Sequence, residues 1–262
     1  MIPRPYIAQW QEQVPWKTFS QVEQDLLISR TLIHLFEDPF LKENLAFRGG
    51  TALHKLYLHP APRYSEDIDL VQIRAGAIKP ILQRIKEVID FFEEDRVVKQ
   101  KLHNNTILYR FNSEYESIRL RLKLEINCKE HFNTLDWVDF PFSIKNEWFT
   151  GSATITTYHV HELLGTKLRA LYQRKKGRDL FDLYYADQFL QLDYDQIMQS
   201  FNEYMKFSTG RKPTQKQFLL NLEEKRNSPV FRGDMEGLLR PGISYNQEAA
   251  FDWLIENIIG EI

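Results

Sequence analysis

Two aspartates one residue apart, Asp67 and Asp69, are the residues of this chain best suited to bind a cation. They flank Ile68 and lead into Leu70 and Val71, which is the pattern of a short β-strand. Residues two apart on a strand project from the same face, about 6–7 Å apart at their Cα atoms. Two carboxylates this close repel each other unless a cation lies between them, and their hard oxygens suit Mg²⁺ together with substrate phosphates. The pair therefore predicts a magnesium site on a strand.

A pair of glycines, Gly49 and Gly50, comes before a segment with a helical pattern that begins at Thr51. Glycine lets the backbone approach a phosphate closely, and the N–H groups at the start of a helix attract anions. The two glycines are therefore predicted to form a phosphate-binding turn. Each of the two motifs has a simpler explanation when it occurs alone, because a lone Gly-Gly is commonly a turn and a lone Asp-x-Asp is commonly a solvated strand end. Their closeness in the chain favours a site for phosphoryl or nucleotidyl transfer.

A third acid lies on the next predicted strand. Residues 117–127 alternate strictly between apolar and polar side chains, which is typical of a strand with one buried and one polar face. Glu125 is the only acid on the polar face and follows cations that include Arg121 and Lys123. The simplest interpretation is a solvent-facing strand with cross-strand ion pairs. If this strand lies beside that of the two aspartates, however, Glu125 completes a carboxylate triad, and the cations are placed to meet phosphates or nucleic acid.

A second group of charged residues follows on a helix predicted at 161–174 and at the start of the next helix. The compact charge of Lys167 suits a triphosphate oxygen, whereas the guanidinium of Arg178 suits a bidentate grip. Asp179 and Asp182 lie three residues apart on one helix face, so one of them can hold Lys167 or Arg178 in place. The alternative is structural, because basic groups at a helix C-terminus and acids at an N-terminus complement the helix dipole.

In this order, the Gly-Gly turn, the Asp-x-Asp pair and the later strand acid resemble a DNA polymerase β-type nucleotidyltransferase. More narrowly, the chain resembles the AbiEii/AbiGii toxin family, whose relatives include the MenT-type tRNA-modifying toxins. One departure is the spacing, since sixteen residues separate Gly50 from Asp67, more than in most minimal nucleotidyltransferases, and the loop at 57–64 contains prolines. The matching blocks are RGGTAL (48–53), SEDIDL (65–70), LKLEI (122–126), ELLGTKLRAL (162–171) and RDLFDL (178–183).

The resemblance and the residue pattern together predict an α+β fold, with a nucleotidyltransferase-like mixed sheet, flanking helices and a C-terminal helical bundle domain. The periodicity becomes helical from His159 onward, which places the domain boundary so that 1–157 is the nucleotidyltransferase domain and 158–262 the helical domain. The resemblance implies that a nucleoside monophosphate is transferred from a nucleoside triphosphate to an RNA acceptor, with the 3′ end of a tRNA as one candidate. It also implies a toxin restrained by a cognate antitoxin protein.

The leading hypothesis gives each of these residues a role. Asp67, Asp69 and Glu125 are expected to bind Mg²⁺ and to take part in catalysis. Contacts to the nucleotide are expected from Gly49, Gly50, Thr51, Ser65, Lys167 and Arg178. In the helical region the resemblance implies that Lys167 binds phosphates and that Asp179 and Asp182 shape the active site, and these three residues are also predicted to be catalytic.

The composition is that of a folded protein without bulk affinity for nucleic acid. The 262 residues are 43% hydrophobic and 13% aromatic, and 34 basic against 36 acidic residues give a net charge of −2. This balance argues against nucleic-acid binding over the whole protein surface but allows a local basic cleft. Cys128 is the only cysteine, so no intrachain disulfide can form. No apolar run approaches a membrane span and no signal peptide is evident, so we expect a cytoplasmic protein without membrane contact.

Two other functions fit parts of the pattern. An Asp-Ile-Asp sequence also occurs in phosphatases and glycosyltransferases, but there it usually follows a strongly hydrophobic strand, and neither function explains the upstream glycines. A catalytically inactive relative that binds protein or RNA would keep the fold. It is distinguished from an enzyme by the absence of Mg²⁺-dependent stabilisation by nucleotide and of transfer to labelled RNA.

The remaining pattern predicts the elements that carry these residues. Prolines at 3, 5 and 15 predict an extended or turn-like N-terminal stretch, and 18–36 and 77–94 have helical periodicity. Residues 106–111 and 118–126 are expected to form paired strands. The aromatic-rich passage 140–157 is mixed, with strand character at 153–157.

Overall fold

The structure is a computed structural model, and it describes residues 2–92 and 96–261. The chain divides into two compact units. The sheet unit contains the residues up to Asn133 together with Trp137–Tyr158, and the helical unit contains Thr134–Asp136 and the residues from His159 onward. A compact unit is not by itself a functional domain, so the assignment of activity to residues 1–157 stays a prediction.

The sheet unit is built on a mixed sheet with seven strands among the described residues, in the order β3-β4-β5-β2-β1-β7-β6. Residues on one face of the central strands are buried, including Ile68, Leu122 and Leu124. Because side chains alternate along a strand, burying these residues turns their charged neighbours to the other face. The strands are β1 (Leu45–Arg48), β2 (Asp67–Gln72), β3 (Val97–Gln100), β4 (Asn104–Asn112), β5 (Arg119–Asn127), β6 (Trp137–Lys145) and β7 (Thr150–Tyr158).

The sheet unit also contains helices. The long helix α2 begins after Thr18, whose side chain accepts a hydrogen bond from the Gln21 backbone N–H and so caps the first turn. It packs against β5 and β7. After β1 the short helix α4 continues as a π-helical segment over Leu53–Tyr57. The helices of the unit are α1 (Arg4–Gln11), α2 (Phe19–Glu37), α3 (Pro39–Asn44), α4 (Gly49–Ala52) and α5 (Ile78–Val88).

The prediction of an extended N-terminal stretch is wrong for residues 4–11, which form α1. Pro3 precedes this helix and Pro5 lies in its first turn. A proline there is compatible with a helix because the N–H groups of the first turn have no partner within the helix. The buried side chains of Ile7 and Trp10 hold α1 to the rest of the unit.

The helical unit contains a second core. Gly165 on α6 lies against α8, where an added Cβ would come within 2.6 Å of the Ser200 Cβ and 2.8 Å of the Ile197 carbonyl oxygen. The glycine therefore lets the two helices pack closely. Thr214 and Gln217 form a capping box at the start of α9. The helices are α6 (Val160–Gln173), α7 (Gly177–Phe189), α8 (Tyr194–Thr209), α9 (Gln215–Arg226), α10 (Pro229–Arg232) and α11 (Gln247–Asn257).

Within the described residues, no helix has both the length and the apolar character that crossing a membrane requires. The mixed sheet with its flanking helices and the following helical region confirm the predicted fold class.

Candidate active site

The three predicted metal-binding acids lie on neighbouring strands of the sheet unit. Strand β2 pairs in parallel with β5, in a register that places Asp69 beside Glu125 and Asp67 beside Lys123. Partners in register project from the same face of a sheet, so all three carboxylates share one face. They are half-buried, whereas the intervening Ile68 is fully buried on the opposite face. The strand of Glu125 is therefore adjacent to that of the aspartates, as the carboxylate triad requires.

A lysine ammonium lies among these carboxylates. The Nζ atom of Lys123 is 2.6 Å from Oδ2 of Asp67 and 3.4 Å from Oε1 of Glu125. Partial burial alone would lower the pKa of Lys123, but the hydrogen bond and charge of Asp67 and the charge of Glu125 outweigh it and raise the pKa. The ammonium therefore stays charged and offsets the repulsion between the two acids.

Gly49 brings the backbone against Asp69. Its φ angle is +80°, in the left-handed region that favours glycine. A Cβ built at this position would overlap the carboxylate oxygen of Asp69 and come within 2.9 Å of the Asp69 Cβ. Arg48, at the N-cap of α4, turns its side chain to Glu130 at 2.6 Å instead of capping the helix. The N–H groups at the start of α4 thus begin next to the Asp69 carboxylate.

The hydroxyl groups of Thr51 and Ser65 are engaged with each other, at 2.8 Å. The Thr51 hydroxyl also donates a hydrogen bond to the backbone carbonyl of Asp67. This contact ties the first turn of α4 to the start of β2, so Thr51 positions the strand that carries the aspartates. In this arrangement its backbone N–H, rather than its hydroxyl, is the group available to a phosphate.

Thr51 and Ser65 also border a cavity of about 400 Å³ that sequence reasoning did not identify. Its wall includes Trp10, Trp16 and Asp25. The Asp25 carboxylate accepts hydrogen bonds from both indole N–H groups, each at 3.0 Å, and pairs with Lys55 at 3.0 Å. These residues come from separate segments of the chain, so no local sequence pattern could have predicted the cavity.

Magnesium would find suitable donors at this face, because three carboxylates supply hard oxygens on adjacent strands. Among the residues that the structure describes, no three Asp, Glu, His or Cys side chains are already gathered around one point as metal ligands. The ammonium of Lys123 lies where a second cation would have to enter between Asp67 and Glu125. The three carboxylates therefore suit a divalent cation, because their oxygens are hard donors and project from one face of the sheet, provided that the Lys123 side chain moves away.

The predicted residues of the helical unit form a network of their own. The Lys167 Nζ lies 3.0 Å from Oδ1 of Asp179 and 2.8 Å from Oδ2 of Asp182. Both acids are fully buried and Lys167 nearly so. Arg174 adds a bidentate contact to Asp179, at 2.7 and 2.8 Å. Burial alone would raise the pKa of Asp179, but the charges of Lys167 and Arg174 outweigh it and lower the pKa.

Arg178 makes different contacts. Its backbone N–H donates to Oδ2 of Asp234 at 3.2 Å, and its side-chain Nε lies 3.9 Å from the same oxygen. Lys176 approaches Oδ1 of Asp234 at 3.2 Å. The structure thus brings Lys167, Asp179 and Asp182 together and places Arg178 at a separate ion pair.

One basic residue near the carboxylates had not been singled out from the sequence. Strand β4 pairs antiparallel with β5 so that Arg110 lies directly opposite Arg121, on the face that carries Glu125. The alternation within 104–112 indicates the face of Arg110, but its partner follows only from the register of the two strands.

The model of a protein family matches residues 30–257, and the family is described as the nucleotidyl transferase AbiEii toxin of type IV toxin–antitoxin systems. The chain belongs to this AbiEii family. The match covers the glycine turn, the three acids and the Lys167 network. It confirms the resemblance drawn from the sequence motifs and makes the chain a nucleotidyltransferase.

Solved structures share the fold. The nucleotidyltransferase toxin MenT4 from Mycobacterium tuberculosis H37Rv superposes with a TM-score of 0.72 at 16% identity, covering 100% of this chain and 91% of that chain. The protein JHP933 from Helicobacter pylori gives a TM-score of 0.55 at 17% identity, covering 93% of this chain and 94% of that chain. No curated protein matches the chain significantly by sequence.

Proposed function

We propose that this AbiEii-family chain is a Mg²⁺-dependent nucleotidyltransferase that transfers a nucleoside monophosphate from a nucleoside triphosphate to an RNA acceptor. The observation that carries the proposal is the placement of Asp67, Asp69 and Glu125 on one face of two adjacent strands, with Gly49 packed against Asp69. Carboxylates beside closely approaching backbone are the groups that nucleotidyl transfer needs.

The proposed reaction is an in-line displacement at the α-phosphorus. A hydroxyl oxygen of the RNA forms a new bond to this phosphorus, the bond to the β-phosphate bridging oxygen breaks, and pyrophosphate leaves with the electron pair. The proton of the hydroxyl passes to a carboxylate, and Glu125 is the proposed acceptor. Bound Mg²⁺ would supply charge neutralisation for the phosphates and would lower the pKa of the attacking hydroxyl.

The chain's own residues would prepare this step. Asp67 and Asp69 would hold the metal ions, and the backbone N–H groups of Gly49, Gly50 and Thr51 would contact the triphosphate. The Thr51 hydroxyl holds β2 in place through the Asp67 carbonyl. Ser65 would reach the triphosphate only if its hydroxyl left Thr51.

The roles of Lys167, Asp179, Asp182 and Arg178 in phosphate binding and catalysis remain proposals that rest on the family resemblance. The contacts of the first three are those of a buried charge network within the helical unit. A direct role of Lys167 at phosphate would require at least one of these contacts to be exchanged.

The cellular role follows the family. A toxin of a type IV system implies an antitoxin protein encoded with it, and we propose such a partner for this chain. An RNA acceptor, including the 3′ end of a tRNA, is likewise a proposal, drawn from the resemblance to MenT-type toxins. It is favoured by the basic residues on the face of the carboxylates.

The test is incubation of the purified protein with total RNA, Mg²⁺ and each α-labelled nucleoside triphosphate. Asp69→Asn keeps the size of the side chain and removes its charge, so we expect transfer to fall about 100-fold or more, as loss of several kcal/mol of transition-state stabilisation requires. Asp195→Asn, at an exposed position in the first turn of α8, is the matched control and should retain full activity.

Circular dichroism should show that both variants are folded. Full transfer by folded Asp69→Asn would refute the assignment of the carboxylates. Label that enters no RNA with any of the four triphosphates, while Mg²⁺ and nucleotide still stabilise the protein against heat, would refute the RNA acceptor and leave the nucleotide site standing.

A further inference from the structure

A row of arginines extends away from the carboxylates on the same face of the sheet. On β5, Arg119, Arg121 and Lys123 precede Glu125 at alternate positions and therefore project from the face that carries it. On the adjacent β4, Arg110 lies opposite Arg121. Arg119 and Arg121 are exposed and Arg110 is partly exposed. We call Arg110, Arg119 and Arg121 the arginine row.

The register of β4 and β5 places two like charges, Arg110 and Arg121, directly opposite each other. Residues directly opposite in an antiparallel pair have their Cβ atoms about 4.5–5.5 Å apart, and like charges at such positions are destabilising. Among the described residues, Arg121 pairs with Glu66 at 3.4 Å, and both side chains of that pair are largely exposed. An exposed pair of this kind contributes little. Phosphates bound to the two guanidinium groups would offset this repulsion.

The spacing of the row suits a chain of phosphates. Same-face residues on a strand are about 6.7 Å apart, which is comparable with the separation of successive phosphates in an extended single-stranded nucleic acid. Arginine grips a phosphate with two parallel hydrogen bonds, so each guanidinium can hold one phosphate. The row ends at Lys123 and Glu125, where the acceptor hydroxyl would have to lie.

We infer that the arginine row binds the phosphodiester backbone of a single-stranded RNA end and directs its terminal hydroxyl toward Asp67, Asp69 and Glu125. This inference rests on the proposed function and adds to it the surface on which the acceptor lies. The three arginines are binding residues, since they contact backbone phosphates and leave the reacting atoms to the carboxylates. Binding through phosphates alone predicts little dependence on base sequence.

The experiment measures the affinity of a fluorescently labelled single-stranded RNA for the full chain by anisotropy, over a series of salt concentrations. The variant is Arg110→Gln/Arg121→Gln. The matched control is Arg74→Gln, an exposed arginine that follows the other end of β2. We expect the double variant to bind about 10- to 100-fold more weakly at low salt and to lose about 1.4 from the slope of log affinity against log salt, because two phosphate contacts are removed.

Two further measurements keep the inference separate from the proposed function. Arg110→Lys/Arg121→Lys keeps both charges and should restore the salt slope but only part of the affinity, because lysine cannot make the bidentate contact. Asp69→Asn should bind RNA as the wild type does, since it removes catalysis and not the row. Wild-type affinity and slope in the Arg→Gln double variant would overturn the inference even if nucleotide transfer is found. Loss of affinity in that variant would support the row even if the wild type transfers no nucleotide.

Discussion

Asp67 and Asp69 have different neighbours, and these accommodate the charge of the two carboxylates in different ways. At Asp69 the carboxylate rests on the backbone of Gly49, where the absence of a side chain makes room for it. At Asp67 the carboxylate is paired with the ammonium of Lys123. The first neighbour provides space and the second provides charge, so substitutions at the two positions should have different effects.

Gly49→Ala should impair both folding and activity. The added Cβ would overlap the Asp69 carboxylate, and alanine at a φ of +80° is also strained by about 1–2 kcal/mol. Gly237→Ala is the matched control, because Gly237 has a φ of +74° with no atom within 4 Å of the added Cβ. We expect the control to lose only the backbone strain and Gly49→Ala to lose more stability and nearly all transfer activity. Equal losses of stability and activity in the two variants would contradict the contact with Asp69.

Lys123→Met should make the protein respond more strongly to Mg²⁺. Without the ammonium, Asp67 and Glu125 repel each other, so the melting temperature without divalent cation should fall by about 2–4 °C, which corresponds to about 1 kcal/mol. Added Mg²⁺ should raise it by more than in the wild type, because the cation no longer competes with a lysine. Thermal unfolding with and without Mg²⁺ measures both effects, and Lys145→Met, an exposed residue at the end of β6, is the control. An Mg²⁺ shift equal to that of the wild type would show that the lysine does not occupy the cation position.

At the scale of elements, the period of two along β2 and β5 allowed the face of each acid to be predicted. Shifting a strand by one residue would bury its charges, so the buried face of Ile68 and Leu124 fixes where Asp67, Asp69 and Glu125 project. The pairing register was not predictable in the same way, because it depends on strands far apart in the chain. Arg110 beside Arg121, and Lys123 beside Asp67, were visible only in the structure.

The strands and helices whose sequences depart from the usual residue preferences were predicted only in part. Strand β6 contains Pro141, which argues against a strand in sequence, but β6 lies at the edge of the sheet, where proline is tolerated. The helix predicted at 77–94 ends at Val88. Phe92, which suggested its continuation, instead stacks on Tyr109 of β4, and residues 93 and 94 of the prediction lie outside the described residues.

Lys167→Met should destabilise the packing of α6 against α7. The fully buried Asp179 and Asp182 would lose the ammonium that both of them contact, and breaking a buried charge network by removing one member typically reduces the free energy of unfolding by about 3–5 kcal/mol. Lys175→Met is the control, because its exposed side chain lies 4.0 Å from Glu224 and its loss should change the free energy by no more than about 0.5 kcal/mol. Urea unfolding followed by circular dichroism measures both. A variant as stable as the wild type but inactive would favour the catalytic role that the resemblance implies.

The buried Lys225 of α9 should make stability depend on pH under alkaline conditions. Its Nζ donates to the Tyr172 carbonyl and contacts Asn221, and burial lowers its pKa from 10.5 to about 8. Between these two values the unfolded chain binds the proton and the folded chain does not, so this residue makes stability rise with pH from about 8 to 10.5. In Lys225→Met that contribution should be absent, whereas the exposed Lys216→Met should keep it. Urea unfolding at several pH values in this window tests the difference, and parallel pH curves for Lys225→Met and wild type would contradict the lowered pKa.

At the scale of the whole molecule, a net charge of −2 conceals an uneven distribution. The arginine row places basic side chains on the face of the sheet that carries Glu125, while the core of the helical unit neutralises Asp179 and Asp182 internally. Composition alone therefore argued against nucleic-acid binding over the whole surface but could not show where a local site lies. Family membership adds the expectation that the activity harms the cell that makes it.

Expression of the chain alone should stop bacterial growth, and Asp69→Asn should abolish this effect. The physical reason is that the substitution removes one charge from the carboxylate face and leaves the fold unchanged, so only the chemistry is lost. Asp195→Asn should arrest growth as the wild type does, and Arg110→Gln/Arg121→Gln should arrest it more weakly, because its RNA affinity is reduced while its carboxylates are intact. Growth curves after induction, compared at equal protein level by immunoblot, measure all four proteins. Growth arrest by Asp69→Asn at the wild-type protein level would mean that toxicity comes from binding and not from nucleotide transfer.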